Sequence, residues 1–117
     1  MFVYKERLMA DLPKHYRNFI ENYPEVAKAY ETLGDAVHAA GPLDSKSRAL
    51  IKLAISIGAR LEGAVHSHVR KALEAGCTPE EIRQVALLAI PTIGLPPSMA
   101  GLTWIGDILE SAEKGNP

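Results

Sequence analysis

The stretch HVRKALEAGCTPEEI, residues 68–82, predicts the end of one helix and the start of the next. Gly76 stands where the first helix should end, because glycine adopts the left-handed conformation that commonly follows a helix. Thr78 and Glu81 have the spacing of a capping box, and Pro79 stands at the first helical position after Thr78. The stretch therefore predicts two consecutive helices joined by a short turn.

Similar start and stop signals occur along the first half of the chain. Pro13 and Pro24 each occupy an allowed first-turn position of a helix, and Gly41-Pro42 ends the second of these helices. Asp44 is a favourable N-cap for the next segment, residues 45–59, whose apolar side chains leave almost no polar face. We therefore expect this segment to form a central, buried helix.

The last third of the chain contains a long uncharged segment, residues 85–106, which could span a bilayer by length alone. Pro91, Pro96 and Pro97 interrupt it, and prolines at such spacing end a helix. The segment is therefore predicted to form two buried helices, one ending at Pro91 and one beginning near Pro97, and not a membrane span. Strand-like alternation of apolar and polar residues is missing from the sequence, which predicts an all-α fold of about six helices.

Composition argues against several functional classes. The 117 residues carry 13 basic and 14 acidic side chains, without the run of like charge that suits nucleic acid or an anionic membrane. The single cysteine, Cys77, cannot form an internal disulfide or a redox pair, which favours a reducing, cytoplasmic compartment. Residues 1–18 carry charges throughout and lack the apolar region of a signal peptide. The length suits a single domain over residues 1–117.

Two features of the sequence predict self-association. The last third of the chain has more apolar surface than a domain of this size buries easily. Small residues at positions 58, 59, 63, 64 and 67 would let the helix over residues 45–59 pack closely against the helix that ends at Gly76. Because obligate interfaces resemble a core cut in half, we expect an obligate homo-oligomer.

Two histidines, His66 and His68, lie two positions apart in the helix that ends at Gly76. A helix turns by about 100° per residue, so the two side chains diverge by about 160°. Metal chelation by this pair is therefore disfavoured, and we expect no metal. His66 aligns instead with Glu62 and Arg70, either as an ion-pair stripe or as a His–Glu dyad for proton transfer.

Residues 43–109 together resemble the carboxymuconolactone decarboxylase and AhpD-like alkylhydroperoxidase superfamily. The resemblance is most specific in HVRKALEAGCTPEEI and in the proline–glycine corner that precedes a helix of small residues. It implies an AhpD-like helical fold that assembles as trimers, or as hexamers built from trimers.

The AhpD-like branch of this superfamily carries a Cys-x-x-Cys pair, a histidine after three further residues, and a glutamate on the preceding helix. If His68 matches that histidine, Leu61 and Ala64 fall on the cysteine positions, and Ala49 falls on the glutamate position. Leucine and alanine cannot form a sulfenate or a disulfide, and Cys77 has no second thiol with which to pair. Thiol peroxidase activity is therefore disfavoured.

The resemblance and the residues lead to one main hypothesis. The protein would be carboxymuconolactone decarboxylase-like, and would act on or bind a small carboxylated or lactone-type molecule without redox thiols or a cofactor. Histidine has a reference pKa of about 6.5, which suits proton transfer, so His68 would be the general acid or base. His66 and Glu62 are further catalytic candidates.

Four residues are predicted to contact such a substrate: Arg48, Arg60, Leu61 and Ala64. Either arginine could hold a carboxylate through two parallel hydrogen bonds, whereas Leu61 and Ala64 would line an apolar wall beside His68. Two alternatives stay open. One is an AhpD-like peroxidase, disfavoured by the missing cysteine pair, and the other is a non-catalytic oligomeric binding protein.

Overall fold

The computed structural model describes residues 13–113, so the segment 1–12, for which the sequence argues against a signal peptide, lies outside the described residues. Within the described range the chain forms six α-helices and no strand, which confirms the predicted all-α fold of about six helices. In chain order the helices are α1 (Lys14–Asn22), α2 (Pro24–His38), α3 (Ser45–Gly58), α4 (Glu62–Glu74), α5 (Pro79–Ile93) and α6 (Leu95–Glu113).

The chain divides into two compact units, residues 1–42 and residues 43–117. The first unit contains α1 and α2, and the rings of Tyr16 and Phe19 on α1 stack with their centroids 6.2 Å apart. The prediction of a single domain over residues 1–117 stays a prediction. On α2, four apolar side chains at helical spacing are each more than half exposed: Val26, Tyr30, Leu33 and Val37.

The second unit has a continuous apolar core between α3, α4, α5 and α6. Val65, Val69 and Ala72 lie three or four residues apart on α4 and are all fully buried. This spacing gives α4 one apolar side, which packs against the other three helices. Their contribution to the core consists of Ala49, Leu53 and Ile57 of α3, Ile82 and Ala86 of α5, and Ile105 and Leu109 of α6.

The predicted caps of α3 and α5 are confirmed. The Asp44 carboxylate accepts a hydrogen bond from the Ser47 N–H at 2.8 Å. At the start of α5 the Thr78 hydroxyl accepts from the Glu81 N–H at 3.1 Å, and the Glu81 carboxylate accepts from the Thr78 N–H at 2.8 Å. Each bond satisfies an N–H group that has no acceptor within its helix.

The ends of α3 and α4 share one backbone turn with different residues at its left-handed position. In both turns the three N–H groups that follow the helix donate to carbonyls of its last turn. After α4 this position is held by Gly76, with φ of 93°, as predicted. After α3 it is held by Arg60, with φ of 58°. Left-handed backbone costs a non-glycine residue about 1 kcal/mol, so the turn into α4 is strained.

Helix α3 is less buried than its composition predicts. Leu53 and Ile57 are fully buried, but Ile51 and Ile55 are 44% and 64% exposed. The prediction of an entirely buried helix is therefore wrong for this chain, because the other helices of the unit cover only one side of α3.

The proline–glycine corner differs from its predicted position. Helix α5 continues two residues beyond Pro91, and the chain turns at Gly94, whose φ is 99°. The prediction that Pro91 ends the helix is wrong, since proline in a last turn removes only one backbone hydrogen bond. Helix α6 begins at Leu95, with Pro96 and Pro97 in its first turn, where an N–H group has no acceptor within the helix.

The sequence predicted that the two helices at this corner, α5 and α6, would be buried. Each of them has an exposed side. Several apolar side chains of α5 and α6 lie at the surface of this chain. The exposed fractions lie between 41% and 61% for Leu87, Leu88, Ile93, Leu95 and Met99.

The predicted absence of a membrane span agrees with the helices that the structure describes. Among these residues, no helix has both the length and the apolar content that a membrane crossing needs.

A close helix approach occurs between α3 and α6. A Cβ atom added at Gly101 would lie 3.0 Å from Cγ2 of Ile57, which is tighter than ordinary van der Waals contact. Cβ atoms added at Gly58 and Gly63 would meet nothing within 4 Å. The prediction that these two glycines let α3 and α4 pack closely is therefore wrong.

Candidate functional site

His68 lies at the edge of the core in the middle of α4. Its neighbours Val65 and Val69 are fully buried, so the apolar side of the helix carries the imidazole partly into the protein. The ring nitrogen Nδ1 is shielded from solvent and has no hydrogen-bond partner among the described residues. An unpaired buried polar atom costs about 1–3 kcal/mol, so Nδ1 makes this part of α4 energetically costly.

Two lysines create a basic environment around His68. Burial, followed by the charges of Lys71 and Lys52, lowers the pKa of His68 from its ordinary 6.5 to about 4. Burial, followed by the charge of Lys52, also lowers the pKa of Lys71. His68 is therefore neutral near pH 7, in a positive field that suits an anionic ligand.

Neither lysine was predicted as part of this site. Lys71 follows His68 by three residues, so helical spacing places the two side chains on the same side of α4 and gave a usable signal. Lys52 belongs to α3, and only the packing of α3 against α4 brings it close enough to act on His68. Tertiary contacts of this kind leave no mark in local sequence spacing.

The predicted apolar wall beside His68 is only partly formed. Leu61 is the N-cap of α4, with φ of −104° and ψ of 92°, and its side chain is 54% exposed. It therefore does not share a helical face with Ala64 and His68, because its backbone is not helical. Ala64 lies within α4 and is half-buried.

The two predicted carboxylate-binding arginines have different environments. Arg48 donates a hydrogen bond from Nη1 to the Leu43 carbonyl, and its Nε is buried without a partner among the described residues. Arg60 is exposed and occupies the strained turn that follows α3. A substrate contact for either arginine stays a prediction.

His66 has a partner that the sequence did not indicate. Its Nε2 lies 2.9 Å from Oδ2 of Asp107 on α6. Glu62, the predicted partner of His66, belongs to the same group, since the three residues offer ligand atoms that all lie within 4.8 Å of one another. His66 thus lies among carboxylates, whereas His68 lies among lysines.

Cys77 is buried in the turn between α4 and α5. Its exposed fraction is 5%, and Sγ donates to the Lys46 carbonyl over 3.8 Å. Burial, followed by the charge of Glu81, raises the pKa of the thiol. A buried thiol with a raised pKa forms little of the reactive thiolate.

An apolar groove of about 460 Å³ runs between α3 and α5. Leu50, Ala54, Val85 and Leu88 contribute to its walls, and Gln84 is among its few polar residues. None of the predicted site residues lines it. The groove and His68 lie on different sides of α3, because Ala54 in the groove is about 160° around that helix from Lys52.

The described residues form an all-helical fold of the AhpD-like class. Its features are the six helices, the capped start of α5 and His68 on α4. The sequence profile of the Carboxymuconolactone decarboxylase family matches residues 24–107, which is most of the chain. The chain therefore belongs to this family.

Two proteins are similar to this chain, one in sequence and one in structure. An uncharacterized protein of Haemophilus influenzae is 31% identical over 72 residues, which cover 62% of this chain and 64% of that protein. The match thus spans less than two thirds of this relative. The crystal structure of apo-lpg0406, a carboxymuconolactone decarboxylase family protein from Legionella pneumophila, superposes with a TM-score of 0.67. It is 21% identical and covers 88% of this chain and 95% of its own, which supports the fold.

Proposed function

We propose that the protein binds a small carboxylated or lactone-type organic molecule at His68 and transfers a proton to or from it. The supporting observation is the shielded Nδ1 of His68, which has no hydrogen-bond partner among the described residues. Lys52 and Lys71 act on the same imidazole through their charges. Two ammonium groups attract a carboxylate toward the half-buried imidazole, whose unpaired Nδ1 leaves the ring without a fixed partner on its inner side.

The surroundings of His68 suit a decarboxylation in which proton transfer follows carbon dioxide loss. The bond between the ring carbon and the carboxylate breaks, and the electron pair passes into an enolate conjugated with the lactone carbonyl. A bound anion would offset the charges of Lys52 and Lys71, which raises the pKa of His68 and lets it take a proton from solvent. The imidazolium then delivers that proton to the enolate carbon.

We assign the proton transfer to His68 and not to His66 or Glu62. Helical spacing turns His66 by about 160° away from His68, and its ring already pairs with Asp107. Among the basic residues, Lys52 and Lys71 act on His68 directly. We therefore give them the role of carboxylate binding that the sequence had suggested for arginines.

An AhpD-like peroxidase is the less well supported alternative. Residues 61 and 64, which match the cysteine positions of that branch, are leucine and alanine. The remaining thiol, Cys77, is buried, and its pKa is raised.

We also propose a reducing, cytoplasmic location for the protein. The support is its single cysteine, which cannot form an internal disulfide.

The test is turnover of carboxymuconolactone and a panel of carboxylated γ-lactones, followed as carbon dioxide release and as binding by calorimetry. The wild type and the exposed-residue control His15→Asn should behave alike, and His68→Asn should lose about 100-fold or more in kcat/KM. Unchanged turnover in His68→Asn would refute the role of His68. Binding without turnover, lost in His68→Asn, would favour the non-catalytic binding protein.

We also propose that the chain forms a homo-oligomer, with the trimer or hexamer that its family resemblance implies. The support is the row of exposed apolar side chains on α3, α5 and α6, including Ile55 and Leu88. A second copy would cover this surface, as in obligate interfaces. Analytical ultracentrifugation should give a trimer or hexamer for the wild type and for Asp35→Lys, and a smaller species for Leu88→Glu. A monomeric wild type at micromolar concentration would refute the proposal.

A further inference from the structure

Three potential metal ligands meet at the surface where α4 and α6 pack together. Glu62 is in the first turn of α4 and His66 follows one turn later, so their side chains share a helix face. Asp107 reaches the same place from α6, with Oδ2 2.9 Å from Nε2 of His66. One ligand atom from each residue lies within 4.8 Å of the other two.

We propose that Glu62, His66 and Asp107 bind one divalent transition-metal ion of the Zn²⁺ type. An imidazole nitrogen with two carboxylate oxygens is a ligand set that zinc and its neighbours accept. Calcium and magnesium prefer oxygen ligands alone, so the imidazole makes them weaker competitors. The sequence analysis expected no metal, because it aligned Glu62 with His66 but could not place Asp107 of α6 beside them.

The spacing of the ligand atoms is close to that of a metal centre. With ligands about 2.1 Å from the ion, ligand atoms are about 3.0 Å apart in octahedral geometry and about 3.4 Å apart in tetrahedral geometry. The separation of 2.9 Å between His66 and Asp107 already fits the shorter value. Glu62 is exposed, so rotation of its side chain can close the remaining distance.

The charge of the cluster favours a cation over a simple ion pair. A pair between His66 and Asp107 needs only one carboxylate, yet Glu62 lies in the same cluster. The three groups together carry a net negative charge whether the imidazole is neutral or protonated. A divalent cation offsets this charge, and the partial exposure of the ligands gives it access from solvent.

A metal ion here would join two helices without involving the proposed proton-transfer site. Two ligands come from the first turns of α4 and one from α6, so the ion would fasten the start of α4 to its neighbour. Three protein ligands leave at least one position of the ion for water. His68 points to the other side of α4 by helical spacing, so metal binding and lactone binding are separable by mutation.

The experiment uses tag-free full-length protein treated with EDTA and dialysed, then titrated with Zn²⁺ by calorimetry and with Co²⁺ by visible absorption. We expect one ion per chain. Asp107→Asn and His66→Gln should each weaken Zn²⁺ binding by about tenfold or more. Glu80→Gln removes an exposed carboxylate of α5 and should leave affinity unchanged.

Asp107→His separates a metal site from an ion pair. It removes the carboxylate that pairs with His66 but keeps a ligand atom, so Zn²⁺ affinity should be higher in Asp107→His than in Asp107→Asn. Circular dichroism melting of each variant shows that it is folded. Absence of Zn²⁺ binding by the folded wild type, or equal affinity in the wild type and Asp107→Asn, would overturn the proposal.

Discussion

His66 and His68 lie two residues apart on α4, and their surroundings have opposite charge. His68 is half-buried in a region where the charges of Lys71 and Lys52 lower its pKa, and its Nδ1 is shielded from solvent without a partner among the described residues. His66 is also partly buried, but its ring lies 2.9 Å from the Asp107 carboxylate. Each imidazole has one charged neighbour on α4 itself and one on another helix, which is Lys52 of α3 for His68 and Asp107 of α6 for His66.

This difference shows that packing, and not residue type, sets the chemistry of each histidine. A helix turn of about 100° per residue sends the two side chains to different neighbours. One side of α4 then faces lysine charges, from Lys71 and from Lys52 of α3, which attract an anion, and the other faces the Asp107 carboxylate, which attracts a cation. Each side can therefore be altered without changing the other.

The largest expected effect comes from replacing each histidine in turn. His68→Asn should lower kcat/KM for a carboxylated lactone by about 100-fold or more, because the proton donor is lost. His66→Asn should leave kcat/KM within about twofold, because it lies on the other side of α4. Steady-state kinetics of both variants, with folding checked by circular dichroism, make the comparison. Equal losses would mean that both histidines serve one site.

Acid should destabilise the protein through His68, whose pKa is lowered in the folded state. The pKa of His68 is about 4 when folded and 6.5 as its ordinary value, so the unfolded chain binds its proton more readily. The contribution of neutral His68 to the free energy of unfolding is fully present above pH 6.5. It is lost as the pH falls toward 4, by up to about 3 kcal/mol. Urea unfolding in EDTA, repeated at several pH values, should show this fall in the free energy of unfolding in the wild type and in His66→Asn.

The control for the pH effect is His68→Asn, which removes the titrating group. Its free energy of unfolding should fall less between about pH 6.5 and about pH 4 than that of the wild type. If both proteins have the same slope in this range, then His68 is not held neutral by the fold.

The sequence predicted those parts of the fold that local interactions determine. Asp44 and the box of Thr78 and Glu81 were correctly placed, because a cap depends on residues within one helical turn. The end of α5 was misplaced, because proline near the end of a helix costs little and the helix passed through Pro91. The exposed side of α3 was also missed, since apolar composition does not say how many neighbours a helix has.

The candidate site was predicted only where its residues share one helix. His68 and the pair of Glu62 and His66 were recognisable from spacing on α4. Lys52 and Asp107 belong to other helices, and only the packed structure brings them to the two histidines. Because neither residue could be placed from the sequence, the charge around each histidine could not be predicted.

Gly101→Ala should destabilise the packing of α6 against α3. The added Cβ would lie 3.0 Å from Cγ2 of Ile57, and that side chain is buried and cannot move away freely. The strain should cost about 1–3 kcal/mol of unfolding free energy and shift α6, which carries Asp107. Gly63→Ala is the matched control, since its Cβ meets nothing within 4 Å. Urea unfolding measures both, and a Gly101→Ala variant as stable as the wild type would contradict the close approach.

The smallest expected effect concerns the contact between His66 and Asp107 without metal. The two side chains are 22% and 49% exposed, so solvent screens the pair. A double-mutant cycle of His66→Asn and Asp107→Asn in EDTA should give a coupling energy of about 0.2–1 kcal/mol. In the presence of Zn²⁺ the coupling should grow, because either substitution removes a ligand of the same ion. A coupling that is unchanged by Zn²⁺ would reduce this side of α4 to an ordinary surface ion pair, while the role of His68 on the other side would stand.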